Sequence, residues 1–301
     1  MISTLLAAAL QAAPIAAHAP LPGDAIAADW RPIPDDELMV MTLAGGRTVV
    51  IRLAPRYAPE HVANVRRLAL AHYWDATAVY RVQDNWVTQW GGQPADPPND
   101  AGNKPLSAGV VPAPAAEYDL ASSFLPAQRL SSDAYASETG ITADGWAIAG
   151  QELISRSAPA PAPAAAWLTH CYGTVGVARG AAPDTGSGSE LFMPIGGSAR
   201  RLDHNYTIVG RVIEGARYLS GLPRSDAPMG MYATAAEQTA IVSVRLASDL
   251  PAATRPRFEY RAADNPRYAA MLAARQHPAG MVAPGGIDVC DVPLATRRTA
   301  S

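Results

Sequence analysis

Lysine is almost missing from this 301-residue sequence, and phenylalanine and cysteine are scarce. Lys104 is the only lysine among 24 basic residues, and 27 acidic residues bring the net charge to −3. A surface that binds nucleic acid is normally basic, so this balance argues against a nucleic-acid partner. Beyond the N-terminus there is no run of about 18 apolar residues, so the sequence predicts no membrane span in the mature chain.

The signatures of common hydrolytic and redox enzymes are absent as well. The chain has no GxSxG, CxxC, HExxH or P-loop motif, and its six histidines never fall at metal-ligand spacing. His170 and Cys171 are adjacent, but neighbouring residues on a strand point to opposite faces and could not easily form a nucleophile pair. The Gly186–Ser189 turn lacks the lysine and the following helix of a phosphate-binding loop.

The N-terminus resembles a secretory signal over residues 1–19. Leu5–Leu10 is apolar and the small-residue site Ala17-His18-Ala19 follows, although the first four residues lack a lysine or arginine. The alternative is an ordinary Ala-rich terminus. A signal predicts a periplasmic or secreted protein, in which Cys171 and Cys290 could form a disulfide. Two separate thiols in a reduced protein are equally consistent with the sequence.

Composition and periodicity divide the rest of the chain into three regions. Residues 20–36 are rich in proline and alanine and predict a linker. Residues 37–248 form the predicted domain, within which residues 93–170 are an enlarged, mostly irregular loop. Residues 249–301 form a tail with one predicted helix, Asn265–Arg275.

Short β-rich runs dominate the predicted domain. They are Glu37–Leu43, Arg47–Leu53, Thr77–Val82, Trp86–Trp90, Gly173–Arg179, Leu191–Ile195, Thr207–Ile213 and Ala240–Leu246, with Trp146–Ile154 as the one plausible strand of the enlarged loop. Helical spacing appears at Pro59–His72, where apolar residues recur every three or four positions, and a short helix fits Glu214–Ser220. Strands without regular helices between them predict an antiparallel barrel.

Several segments, in order along the chain, carry a more specific resemblance. They are Val49–Leu53, Ala58-Pro59 with Asn64, Tyr80–Val82, Trp86–Gln89, Gly173–Arg179, Ser189–Phe192, and Leu202-Asp203 with Tyr206 before Ile208–Val212. Their order across residues 37–248 resembles a cyclophilin-type peptidyl-prolyl cis-trans isomerase. The resemblance implies a mainly β fold: a closed eight-stranded antiparallel barrel capped by two helices, here with an enlarged central loop and a C-terminal extension.

The same resemblance implies the residues of a site. Arg81 matches the family's catalytic arginine, and Gln89 matches a polar residue beside it. The positions that match the family's apolar proline pocket are Trp86, Val87, Phe192 and Leu202. The positions that match the rest of the substrate groove are Ala178, Arg179, Glu190 and Tyr206.

Several of these positions depart from the family's usual residues. Val87 replaces a longer side chain, commonly Met, and Glu190 stands where many members have Gln. Arg179 stands where Asn is frequent, and Tyr206 where many members carry histidine. Arg201 stands where some members have Trp, which puts binding of the family's cyclic-peptide inhibitor in doubt.

The resemblance implies an enzyme that isomerises Xaa-Pro bonds of unfolded or flexible polypeptides and assists their folding. With the predicted signal, these would be exported polypeptides, and we expect the protein to be a monomer. Neither a cofactor nor a metal is implied. The altered rim leaves open a second hypothesis, a barrel that binds proline-containing peptides without useful turnover. A third hypothesis is a scaffold whose residues 93–170 and tail are interaction surfaces.

Overall fold

The computed structural model describes residues 23–94, 104–120, 126–151, 165–280, 282 and 286–299. The signal expected at residues 1–19 and the Pro-Ala run at 158–163 lie outside the described residues. None of the helices in the described ranges combines the length and the apolar character that a bilayer crossing requires.

Short strands and three α-helices make up the regular structure of these residues. The strands are β1 (Trp30–Pro32), β2 (Leu38–Leu43), β3 (Arg47–Leu53), β4 (Thr77–Val82), β5 (Val87–Pro94), β6 (Gln128–Leu130), β7 (Glu138–Ile141), β8 (Ala147–Gln151), β9 (Ala165–Leu168), β10 (Thr174–Val177), β11 (Leu191–Pro194), β12 (Ile208–Glu214), β13 (Thr239–Leu246), β14 (Phe258–Arg261) and β15 (Thr296–Arg298). The α-helices are α1 (Pro59–Leu70), α2 (Arg217–Ser220) and α3 (Pro266–Gln276).

Eight of the strands close into an antiparallel barrel in the order β10-β11-β5-β4-β13-β2-β3-β12. This confirms the predicted fold class, and the eight strands are those that the sequence predicted for the domain, with small shifts at their ends. The β2–β3 hairpin shows why the prediction works. Gly45 and Gly46 have φ of 77° and 72°, a left-handed conformation that glycine adopts without steric cost.

The barrel core is formed by the inward-facing side chains of these strands and by two helices. Fully buried strand residues include Leu43, Ile51, Val79, Trp90 and Val244. Helix α1 adds Val62, Val65 and Leu68, the apolar stripe predicted from its sequence, and α2 adds Leu219. The two helices therefore close the barrel, and α1 contacts β13 directly.

The enlarged loop is more regular than the sequence predicted. Instead of one strand in a mostly irregular segment, it contains a four-stranded antiparallel sheet in the order β6-β7-β8-β9, which we call the inserted sheet. The strand expected at Trp146–Ile154 is β8, Ala147–Gln151. The other strands have only three or four residues, which is too short to show the alternation that predicts a strand.

The segments expected to be a linker and a tail both contain regular structure, and the helix predicted at Asn265–Arg275 is α3. Within residues 20–36, β1 pairs with β14 of the tail, and β14 pairs with β15. Helix α3 packs Tyr268 and Leu272 against Ile141 and Ala147 of the inserted sheet. Cys171 and Cys290 form a disulfide with their Cα atoms 5.1 Å apart. Of the two alternatives that the sequence left open, a disulfide or two free thiols, the structure contains the disulfide.

Candidate active site

Strand register places four residues in one row across the outside of the barrel. Arg81 on β4 pairs with Gln89 on β5. Gln89 also pairs with Phe192 on β11, and Phe192 pairs with Gly176 on β10. Leu191, the chain neighbour of Phe192, points into the core, so the row faces outward. Neighbouring strands lie about 4.8 Å apart, which puts the Cα atoms of Arg81 and Phe192 about 10 Å apart on one surface.

A β-bulge at Tyr80 lets two successive side chains of β4 reach this surface. Val79 and Arg81 pair with consecutive residues of β5, so Tyr80 between them has no partner there. As a result Val79 and Val82, three positions apart, both lie in the core. Regular alternation would have sent Tyr80 and Arg81 to opposite faces. The bulge instead brings both side chains to Gln89.

The guanidinium of Arg81 is fixed by three acceptors. Nε donates to the Met229 carbonyl at 2.7 Å, Nη1 to Gln89 Oε1 at 3.0 Å and Nη2 to Gln83 Oε1 at 2.5 Å. A guanidinium has five N–H groups, so these bonds leave one N–H on each of Nη1 and Nη2 unused. Burial lowers the pKa of Arg81, but an arginine remains charged at neutral pH.

A chain of hydrogen bonds runs from Arg81 to Glu190 in one direction. Gln89 accepts from Arg81 through Oε1 and donates through Nε2 to the Tyr80 hydroxyl at 2.6 Å. Tyr80 donates to Glu190 Oε2 at 2.6 Å, and the Gly92 N–H donates to Glu190 Oε1 at 2.7 Å. An ionised carboxylate only accepts hydrogen bonds. Glu190 therefore sets the direction of the chain and turns the carbonyl of Gln89 towards the guanidinium.

Two neighbouring glycines leave space for the carboxylate of Glu190 and for the hydroxyl of Tyr73. A Cβ on Gly91 would lie 1.8 Å from Glu190 Oε2, and a Cβ on Gly92 would lie 2.0 Å from the Tyr73 hydroxyl. Burial raises the pKa of Glu190 to about 7, against the smaller lowering effects of the Tyr80 and Gly92 hydrogen bonds. Burial also raises the pKa of Tyr80, so its hydroxyl stays protonated and can donate.

The apolar end of the row is built around Phe192. Its ring is 4% exposed and meets the ring of Tyr206 edge-on, with centroids 5.6 Å apart. Gly176 allows this placement, because a Cβ there would lie 2.3 Å from Phe192 Cζ. The Arg179 guanidinium lies 4.8 Å from the centroid of the Tyr206 ring and donates to the Asn205 carbonyl at 2.9 Å.

The segment that follows the inserted sheet packs against the ring of Phe192. The His170 ring stacks on Phe192 with centroids 5.9 Å apart and an interplanar angle of 8°. Asp203 holds this imidazole, accepting from the His170 backbone N–H at 2.9 Å and bonding its Nδ1 at 3.0 Å. Trp167 and Arg200 also donate to Asp203, at 3.0 and 2.7 Å. Burial opposes ionisation of Asp203, but these partners keep its pKa below the ordinary value.

The remaining predicted residues lie around the row. Trp86 and Leu202 line one groove of about 470 Å³ together with Arg201, so the structure brings these two pocket candidates together. Val87 is buried on β5, where it pairs with Pro194. Ala178 follows β10, and its N–H donates to the Glu190 carbonyl at 2.9 Å.

Several contributors to the site were not identified from the sequence, among them Gln83, which accepts from Arg81. Tyr80 stood in a recognised segment, but regular alternation along a strand would place its side chain on the face opposite Arg81. His170 belongs to the segment expected to be irregular, and nothing in its sequence neighbours points to Phe192. Met229 contributes a backbone carbonyl, which side-chain identity does not reveal; its φ of 61° marks the turn that brings it to Arg81.

Across the described residues, no group of three or more histidine, cysteine, aspartate or glutamate side chains could hold a metal ion. The acidic and imidazole groups nearest the row are Glu190, His170 and Asp203, and each has the hydrogen bonds given above. The site offers a fixed cation, oriented donors and an apolar surface.

Comparisons with known proteins bear on the family and the fold of the chain. Residues 38–245 match the family described as cyclophilin type peptidyl-prolyl cis-trans isomerase/CLD. The crystal structure of the cyclophilin AquaCyp293 from Hirschia baltica is similar, with 24% identity and a TM-score of 0.67 over 90% of this chain and 94% of that one. A cyclophilin-type isomerase from Cryptosporidium parvum, solved in the presence of the dipeptide Ala-Pro, has 14% identity and a TM-score of 0.39 over 69% of this chain and 98% of that one. A search of curated proteins gave no match.

Proposed function

The chain belongs to the cyclophilin-type peptidyl-prolyl cis-trans isomerase family, and we propose that it isomerises Xaa-Pro bonds of exported, unfolded or flexible polypeptides with Arg81 as its catalytic group. The observation that carries this proposal is the row in which Arg81, Gln89 and Phe192 share the outer surface of the barrel. A charged donor and an apolar ring on one surface match the two demands of the reaction.

The reaction requires a twisted amide to be stabilised. An Xaa-Pro bond in an unfolded chain is roughly 10–30% cis. Rotation is slow because twisting the amide loses resonance, with a barrier of about 18–20 kcal/mol. The catalyst forms and breaks no covalent bond, so it must bind the twisted amide more tightly than either planar form.

Arg81 supplies the polar half of this stabilisation. As the amide twists, the lone pair of the prolyl nitrogen localises and becomes a better acceptor. The N–H groups of Nη1 and Nη2 that Gln89 and Gln83 do not use are free to donate to that nitrogen and to the prolyl carbonyl. Because three acceptors already hold the guanidinium, little reorganisation is needed when substrate binds.

The apolar residues hold the proline ring while the preceding carbonyl rotates. In this proposal Phe192 forms the floor of the pocket, with Tyr206 against its ring edge-on, and Val87, Trp86 and Leu202 complete the wall. Burying a proline-sized surface at about 25 cal/mol per Å² contributes only a few kcal/mol. We therefore expect weak binding and broad tolerance of the residue before proline, which lies along Ala178 and Arg179.

Export of the protein and of its substrates is supported by two observations. The apolar segment and small-residue site within residues 1–19 resemble a signal. The Cys171–Cys290 disulfide suits an oxidising compartment such as the periplasm. Mass spectrometry of the purified native protein tests the first point, because cleavage at the site predicts a chain that begins after residue 19. A full-length chain in the cytosolic fraction would contradict it.

The activity itself is tested by exchange NMR on a short Ala-Pro peptide. We expect catalytic amounts of the protein to accelerate exchange between the cis and trans forms and so broaden their resonances. We also expect the protein to act as a monomer. Unchanged exchange together with saturable peptide binding would favour the binding module over the enzyme. Unchanged exchange without binding would remove the proposed site altogether.

A further inference from the structure

Two buried arginines face each other on the side of the barrel that contacts the inserted sheet and the tail. Arg52 on β3 and Arg211 on β12 are directly opposite in the strand register. Their exposed fractions are 3% and 8%. Both guanidinium groups lie near Trp146, with Cζ atoms 5.1 and 5.6 Å from its ring centroid. Two neighbouring buried cations need compensating negative charge.

The two arginines differ in the compensation they have. Arg52 donates to the Asp144 carbonyl at 2.8 Å, and its Nε lies 3.9 Å from the Glu37 carboxylate. Arg211 donates only through Nη1, to the Leu294 carbonyl at 2.8 Å. Among the described residues, no carboxylate forms an ion pair with Arg211, and its Nε and Nη2 have no hydrogen-bond partner.

The unpartnered nitrogens of Arg211 form one edge of its guanidinium. The N–H groups on the Nε side of a guanidinium are parallel and match the two oxygens of one carboxylate or phosphate. Burial and the charge of Arg52 lower the pKa of Arg211 to about 9, which leaves it charged at neutral pH. A buried, charged fork without an acceptor has the chemistry of an anion-binding group.

Arg211 also lines a cavity between the barrel, the inserted sheet and the tail. The cavity has a volume of about 140 Å³. Its wall combines aliphatic side chains, among them Leu168, Ile208, Val292 and Leu294, with the polar side chains of Thr169, Tyr172 and Thr174. Of the described residues that line it, Arg211 is the one with a charged side chain. An apolar protein cavity of about 150 Å³ can hold benzene, a ligand of six heavy atoms.

We propose that this cavity binds a short aliphatic monocarboxylate, with its carboxylate on the free edge of Arg211 and its hydrocarbon chain among the apolar side chains. The charge of the ligand compensates the buried cation, and its apolar part fills the space that the wall leaves. Butyrate, with six heavy atoms, fits the volume. A phosphate ion supplies the charge, but it has no hydrocarbon part to pack against the aliphatic side chains and would leave several oxygens beside them, which costs free energy.

Methyl NMR on the wild-type protein tests the ligand class. At constant ionic strength, we expect butyrate to shift the methyl resonances of Ile208, Val292 and Leu294 saturably, with a dissociation constant in the millimolar range. Butan-1-ol has the same chain without the charge, and we expect it to bind at least tenfold more weakly. No saturable shift with butyrate, equal binding of butan-1-ol, or equal binding of inorganic phosphate would each overturn the proposal.

A matched pair of variants tests the role of Arg211. Arg211→Met keeps most of the side-chain volume, and we expect it to weaken butyrate at least tenfold while leaving butan-1-ol unchanged. Arg217→Met removes an exposed arginine at α2 and should bind butyrate as the wild type does. Unchanged butyrate binding in Arg211→Met would contradict the assignment. If Arg211→Met does not fold, the comparison of ligands on the wild type still decides the proposal.

Discussion

Glu190 is the residue through which pH acts on the site. Its carboxylate orients Tyr80, Tyr80 orients Gln89, and Gln89 presents its carbonyl to Arg81. When Glu190 takes up a proton, its carboxyl group can donate a hydrogen bond as well as accept one. The carboxyl group then no longer fixes the orientation of Gln89. Tyr80 and Tyr73 are the titratable groups that face it, and burial raises the pKa of both.

We predict that kcat/KM for an Ala-Pro peptide rises about three- to fourfold between pH 6 and pH 8. Glu190 ionises with a pKa of about 7, and one correctly oriented hydrogen bond contributes about 1 kcal/mol, or about fivefold between the fully protonated and fully ionised forms. Glu190→Gln, whose amide can also donate, should lose this pH dependence and keep kcat/KM near the low-pH value of the wild type. An unchanged pH profile in Glu190→Gln would contradict the role assigned to the carboxylate.

The same titration acts on stability with the opposite sign. The pKa of Glu190 is about 7 in the folded state against an ordinary 4.5, so the folded protein holds the proton more tightly. This raised pKa stabilises the folded protein by up to about 3 kcal/mol. The stabilisation is fully present below pH 4.5 and is lost as the pH rises through 7. Urea denaturation should therefore show that the free energy of unfolding of Glu190→Gln increases relative to that of the wild type between pH 5 and pH 8.

Gly176 is a second residue with a testable role, since the Phe192 ring fills the space beside it. A Cβ at Gly176 would lie 2.3 Å from Phe192 Cζ, so Gly176→Ala should displace the ring and destabilise the protein by about 1–3 kcal/mol. We expect kcat/KM to fall while Arg81 keeps its hydrogen bonds. Gly197→Ala is the matched control, because nothing lies within 4 Å of a Cβ there. Equal effects of both variants on kcat/KM would contradict the proposed pocket.

The residue scale also shows what the sequence could and could not predict. Arg81, Gln89 and Phe192 were found because they match motif positions, and the strand register places them in one row. Tyr80 was missed because a bulge depends on the pairing with β5 and leaves no mark on the alternation of β4 itself.

At the scale of elements, the inserted sheet supports the site through its last strand. His170, two residues after β9, stacks on Phe192, and Asp203 binds His170, Trp167 and Arg200. The inserted sheet was not predicted, because its three- to five-residue strands gain their stability from pairing and from the tail and not from their own sequence pattern. The barrel strands, in contrast, carry enough alternation to be predicted.

We predict that Asp203→Asn lowers the free energy of unfolding by about 3–5 kcal/mol, because it leaves the buried Arg200 without one of its two carboxylate partners. Hydrogen exchange should show the largest loss of protection in β8, β9 and residues 169–171. Asp84→Asn, at an exposed ion pair with Arg224, should change stability by less than about 1 kcal/mol. Uniform loss of protection across the barrel would contradict a local coupling role.

At the scale of the whole molecule, contacts between segments far apart in sequence hold the two ends of the described chain together. Strand β1 pairs with β14, and the Cys171–Cys290 disulfide spans 119 residues. Such contacts are invisible to local periodicity, which is why the sequence predicted a linker and a tail. The sequence could only leave the disulfide open, since pairing depends on the distance between two segments in the folded protein.

We predict that replacing both cysteines by alanine lowers the free energy of unfolding by about 2–5 kcal/mol, because a crosslink over a loop of this length restricts the unfolded chain. Reduction of the wild type should cause the same loss and should leave the double variant unchanged. Two titratable thiols in the denatured, unreduced protein would contradict the bridge.

The most direct test of the account is the catalysed cis/trans exchange rate of an Ala-Pro peptide with Arg81→Ala. We predict that this variant folds, binds peptide weakly and loses about 10²–10³-fold in kcat/KM, as is typical when a donor to the transition state is removed. Arg275→Ala, an exposed arginine on α3, should keep the wild-type rate. Wild-type exchange with Arg81→Ala would show that the guanidinium is not the catalytic group.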